Sequence, residues 1–138
     1  MSHTDANVIR DSVHTGTLRF NEIAERFFTS LIQTVPDLRA KLPSDTTEQR
    51  SIFAVKLNWL VENAHDLNAV AGELSAMGER LAAYGVAPEQ MHTLRESLVG
   101  AASDCAGDAW TAEYEGAWTR TTYTACALML RGSARRAA

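Results

Sequence analysis

Met77-Gly78-Glu79-Arg80-Leu81-Ala82-Ala83-Tyr84-Gly85-Val86-Ala87-Pro88-Glu89-Gln90 is the stretch on which the reading of this chain turns. Its first half closes an apolar stripe, Leu67, Val70, Leu74, Met77 and Leu81, stepping by three, four, three and four. Those steps keep to one face of an α-helix, so the pattern predicts a helix with Leu81 on its buried side. Gly85 suits the end of that helix, where the chain must take a left-handed residue. Pro88 suits the first position of the next one, whose backbone N–H has no helical partner to lose.

The same periodicity extends in both directions. A first helix is predicted from Asp5 to about Thr17, with Val8, Ile9 and Val13 inward. A second carries Phe20, Ile23, Ala24, Phe27, Phe28 and Leu31 on one stripe. Pro36 opens a short third turn and Pro43 follows it. Asp45 stands three residues before Glu48, a capping arrangement for a helix with Ile52, Phe53, Leu57, Leu60 and Val61. Asn63 to Asp66 reads as a break. After Pro88, the residues Met91, Leu94, Leu98, Ala102 and Cys105 mark an inner face. Gly107-Asp108 then starts a last helix with Trp110, Tyr114, Trp118, Ala125 and Met129. Strand-like alternation is scarce, and the expected class is all-α.

Composition sets bounds on function. The chain has 138 residues, 46% hydrophobic and 22% charged, which is ordinary for one globular domain. Positions 1–138 are therefore read as a single domain, with 1–4 and 132–138 as loose ends. The formal charge is −4, and the one basic cluster is the tail with Arg131, Arg135 and Arg136, too small for a nucleic-acid surface. No apolar run approaches the ~18 residues of a membrane span. The start, Met1-Ser2-His3-Thr4-Asp5, lacks the basic and apolar parts of a signal peptide. Cys105 and Cys126 have no metal-type spacing and read as free thiols, so a cytoplasmic location is expected. No paired-carboxylate, Ser–His–Asp or Gly-rich phosphate arrangement is discernible.

Several segments together carry a resemblance. They are Arg26-Phe27-Phe28 with Pro36-Asp37-Leu38-Arg39, Asp45-Thr46-Thr47-Glu48-Gln49, and Tyr84-Gly85-Val86 with Pro88-Glu89. Ala109-Trp110-Thr111, Glu115 and Ala117-Trp118 complete the set. Their order and spacing, from about residue 20 to 130, resemble single-domain bacterial haemoglobins and the globin domains of flavohaemoglobins. Six longer helices and a short turn fit a globin better than a four-helix bundle. The resemblance implies a globin fold around a haem pocket, and the departures from the family pattern fall at that pocket. Leu81 stands at the place of the histidine that holds haem iron. Leu42 replaces the phenylalanine wedged against the haem, and Phe28 stands where a tyrosine often donates to bound oxygen. Met91 replaces a tyrosine that orients the proximal histidine in flavohaemoglobins. Gln49 alone keeps the polar identity of the family's ligand side.

Leucine has no lone pair for a metal, whereas haem iron is normally held by His, Cys, Met or Tyr. No cofactor is therefore expected, although an apolar disc the size of haem can bind weakly through burial alone. The leading expectation is a haem-independent globin-like module for small-molecule binding, sensing or protein interaction. Its expected pocket is Phe28, Leu42, Gln49, Phe53, Met77, Leu81, Leu94 and Leu98. A second reading is a haem globin with unusual axial ligation that handles oxygen or nitric oxide, with Met77, one turn before Leu81, as the donor. A cofactor-free enzyme using the remodelled pocket is the third. Gln49 either bonds a ligand or swings out to solvent, and Phe53 intrudes beside it. Thr122 either bonds its own backbone, as helical threonines do, or faces the pocket. Gly100-Ala101-Ala102-Ser103 marks a close helix contact or room for a guest. Histidines 3, 14, 65 and 92 fall at no pocket position. The expected partner is an apolar small molecule or a protein, with no nucleic acid and no membrane. A homodimer through Met91–Cys105 and Trp110–Met129 is the expected assembly.

Overall fold

A computed structural model describes residues 2–14 and 18–137, with side chains described over 5–14 and 18–132. Seven α-helices follow one another among these residues: α1 Ser2–His14, α2 Phe20–Thr34, α3 Pro36–Lys41, α4 Thr47–Glu62, α5 Ala71–Ala83, α6 Met91–Ala106 and α7 Ala112–Ala137. No strand occurs among the described residues, so the class is all-α. The first helix ends at His14, and the part predicted to follow, 15–17, lies outside the described residues. Of the ends predicted to be loose, the side chains of 1–4 and 133–138 also lie outside them. The described backbone there is helical from Ser2 and to Ala137.

Local chemistry sets most of the boundaries. Before α4, the Asp45 carboxylate accepts from the Thr47 backbone N–H at 3.0 Å and from the Thr47 hydroxyl at 2.6 Å. These bonds, the hydroxyl first, hold its carboxyl below the usual range. The predicted break at 63–66 is a turn of tighter helix, Ala64–Val70, interrupted by the non-helical backbone of Asp66. Leu67 and Val70 therefore precede α5 instead of belonging to it. At the end of α5, Gly85 takes φ +92°. The Val86 N–H donates to the Leu81 carbonyl and the Gly85 N–H to that of Ala82, both at 3.0 Å. Buried Val86 packs in the core cluster against which Leu81 also rests, the apolar contact that accompanies this helix ending. Beyond it, the Gln90 amide oxygen accepts from the Ala87 N–H at 2.8 Å and fixes the approach to α6.

α2 packs against α4 and α6, and α7 against α1, α5 and α6. The main core joins Ile9, Ile23, Phe27, Leu38, Leu57, Leu94 and Trp118, drawn from six helices. A smaller one holds Leu67, Leu74, Ala125 and Leu128. α5 and α7 cross closely. A Cβ built at Gly78 would overlap the Met129 carbonyl, and one built at Gly132 would overlap that of Ser75. The run at 100–103 is different: Ala101 and Ala102 are buried, but Gly100 is exposed with open space around it. Only the two alanines serve a close contact.

α1 is tied to α7 by a ladder of polar links. The Trp118 indole donates to the Ser12 hydroxyl at 2.9 Å, and that hydroxyl donates to the Ile9 carbonyl at 2.6 Å, both bonds buried. The Tyr114 hydroxyl donates to the Asp11 carboxylate at 2.6 Å. Arg120 donates twice to Asp5, at 2.9 and 3.0 Å.

Candidate functional site

The predicted pocket residues come from five places. Phe28 lies on α2, Leu42 just after α3, Gln49 and Phe53 on α4, Met77 and Leu81 on α5, and Leu94 and Leu98 on α6. Six of them share one cluster: Leu94 is a buried member, and Phe28, Leu42, Phe53, Leu81 and Leu98 pack against it half-buried. Met77 does not join them. It packs against the smaller cluster with Leu74 and Leu128. Met77 and Leu81 are one turn apart on one stripe, yet they serve two different cores.

Aromatic rings fill the space between α2 and α4. Phe53 stacks on Phe27 with centroids 4.6 Å apart and planes 11° from parallel. Phe28 meets both rings edge-on, each at 5.9 Å. Such geometry is favourable for ring quadrupoles and holds the three side chains as a unit. Phe53 is thus packed into the core between α2 and α4.

Gln49, one turn before Phe53, is half-buried. Its amide oxygen is fully shielded from solvent and accepts no hydrogen bond. Buried acceptors in proteins are nearly always paired, so this atom stands out.

The other singled-out polar residues have local explanations. Thr122 donates to the Trp118 carbonyl at 2.6 Å, the back-bonded alternative. Tyr84 is exposed. His14, His65 and His92 are exposed, and His92 lies within 2.7 Å of the Arg95 guanidinium and 3.3 Å of the Glu96 carboxylate. The side chain of His3 lies outside the described residues. Burial pushes the Cys126 thiol up to about 11 and also raises that of Cys105. Among the described residues no group of three His, Cys, Asp or Glu side chains is placed to hold a metal ion. Among the described residues no helix is long and apolar enough to cross a membrane.

Two surface grooves were not foreseen. One of about 850 Å³ runs between the 64–68 turn and α7, lined by Asp5, His65, Asp66, Arg120 and Tyr123 among others. Another of about 510 Å³ lies along α2 beside Asp104. Neither contains a predicted pocket residue. Both are formed by residues distant in sequence, which no local pattern announces.

No protein-family model matches the chain, and no curated protein does.

Proposed function

We propose that this chain is a globin-type helical domain that takes an apolar guest bearing one hydrogen-bond donor. In this reading it works without haem iron, as a sensory or interaction module. The observation that carries the reading is the Gln49 amide oxygen, buried without a partner one turn from the Phe27–Phe28–Phe53 unit. Leaving such an acceptor unsatisfied costs about 1–3 kcal/mol. A guest N–H or O–H is its complement, and the phenylalanine unit one turn along α4 suits a hydrocarbon body. Support for the globin part comes from the motifs quoted above and from the order of elements. These include a short third helix, Gln49 in the first turn of α4, and the turn after Leu81. Function is carried over from the family only by analogy.

The residues that the resemblance sets at the iron do not supply its usual donor. Leu81 offers no lone pair, and the Met77 thioether belongs to the smaller core. His14, His65 and His92 are all exposed. Phe53 also occupies space beside Phe27 and Phe28.

Native mass spectrometry of freshly isolated protein and a hemin titration test the proposal together. The expected outcome is a retained small molecule in the first and no sharp one-to-one Soret band in the second. Gln49→Met should lose the guest and stabilise the guest-free protein by about 1 kcal/mol, since it deletes an unpaired acceptor at little cost in shape. A stoichiometric hemin complex abolished by Met77→Ala would replace this reading with the haem one.

A further inference from the structure

We infer that α4 is a self-association surface, on which a second copy of this chain docks antiparallel about a two-fold axis at Ile52. On α4, Ala54, Leu57 and Val61 are buried. Ile52 and Val55, on nearly the opposite side of the helix, are 52% and 67% exposed. They are two of the four large apolar side chains most exposed to water. Trp59, farther along the helix, is half-buried against the smaller core and does not belong to this exposed patch. Ile52 and Val55 thus form a small apolar patch left facing water on the outer side of α4.

Charge selects the partner. Glu48, Ile52 and Lys56 fall at i, i+4 and i+8 and form one ridge on the helix surface. Glu48 and Lys56 are both exposed, and neither forms an ion pair among the described residues. They are two turns apart with Ile52 between, so they cannot reach each other within one helix. An antiparallel copy centred on Ile52 sets Glu48 against the partner's Lys56 and Lys56 against the partner's Glu48. Ile52 then meets itself at the axis. A parallel copy would oppose like charges at both ends. The ridge is therefore self-complementary under a two-fold, the condition for an isologous dimer. This inference does not depend on a guest in the pocket.

Sedimentation equilibrium of the full chain tests it, with circular dichroism to confirm that each variant is folded. The wild type should show a monomer–dimer equilibrium with a dissociation constant below about 0.1 mM at low salt, weakening as salt screens the ion pairs. Glu48→Lys and Lys56→Glu should each weaken it about tenfold, because each places two like-charged contacts across the axis. The double variant carrying both exchanges should return to within about threefold of wild type, since the pairing is reciprocal. A wild type monomeric up to about 0.5 mM overturns the inference. So does a dimer that the single reversals leave unchanged, or one that the double exchange fails to restore.

Discussion

Replacing Gly78 with alanine adds one methyl group where α5 crosses closely over α7. Alanine favours a helix interior over glycine by about 0.8–1.0 kcal/mol, so on α5 taken alone the change should stabilise. The tertiary structure reverses that sign. The new Cβ would overlap the Met129 carbonyl of α7, which is backbone and cannot rotate aside. α5 must then back away from α7, loosening the small core of Leu67, Leu74, Ala125 and Leu128 that the crossing seals. Overpacking of this kind costs about 1–3 kcal/mol. For a chain of this length that corresponds to a melting temperature lower by roughly 3–9 °C. Gly132→Ala should act in the same direction, because its Cβ would overlap the Ser75 carbonyl from the other helix. Gly100→Ala is the matched control: it is in the middle of α6, exposed, with open space around it. It should raise stability by about 0.5–1 kcal/mol. Thermal unfolding followed by circular dichroism at 222 nm reads all three. A Gly78→Ala protein that melts as high as Gly100→Ala would refute the close-crossing argument.

The α1–α7 ladder yields further expectations. Ser12→Ala removes the acceptor of the buried Trp118 N–H, and urea unfolding should show a loss of about 1–3 kcal/mol; an unchanged midpoint would remove the link's importance. Hydrogen bonding from Arg120 holds the Asp5 carboxyl below its usual 3.8. A depressed folded value means the stabilisation is complete above the ordinary carboxylate range and lost as pH falls through the lowered value. Arg120→Ala should accordingly melt below wild type at neutral pH, with the gap closing as pH falls through the lowered Asp5 value, below the ordinary carboxylate range. A gap that persisted at low pH would assign the effect to packing. Burial lifts the Cys126 thiol to about 11, so iodoacetamide at pH 8 should modify it far more slowly than a free thiol until the chain is unfolded. Rapid labelling of folded protein would show that this part of α7 opens readily.

Much of the architecture was legible before any coordinates, because helices are local objects. Steps of three and four placed α2, α4, α6 and α7 within a few residues. The left-handed Gly85 and the prolines at 36 and 88 act within their own turns, so the residues themselves disclose them; the predicted Asp45–Glu48 capping arrangement is instead an Asp45–Thr47 turn, with Thr46 as the cap residue and no side-chain cap bond. The small correction at Leu67 and Val70 has a local cause too. The extended backbone of Asp66 interrupts the helix that their spacing seemed to continue.

Contacts between segments remote along the chain were not legible. Periodicity put Met77 and Leu81 on one face, but only packing shows that this face spans two cores. Gly78 carries no mark distinguishing it from Gly100, and its necessity comes entirely from a carbonyl on α7. Ser12 looks like any helical serine until Trp118, 106 residues away, is laid across it. The burial of the Gln49 oxygen and the outward side of α4 belong to the same class. Sequence by itself determined which residues form helices and which side of each is apolar, since those follow from bonds and side chains within a few turns. Which apolar side meets which, and which is left facing water, was decided by the tertiary structure, because burial depends on atoms the chain brings together only when it folds.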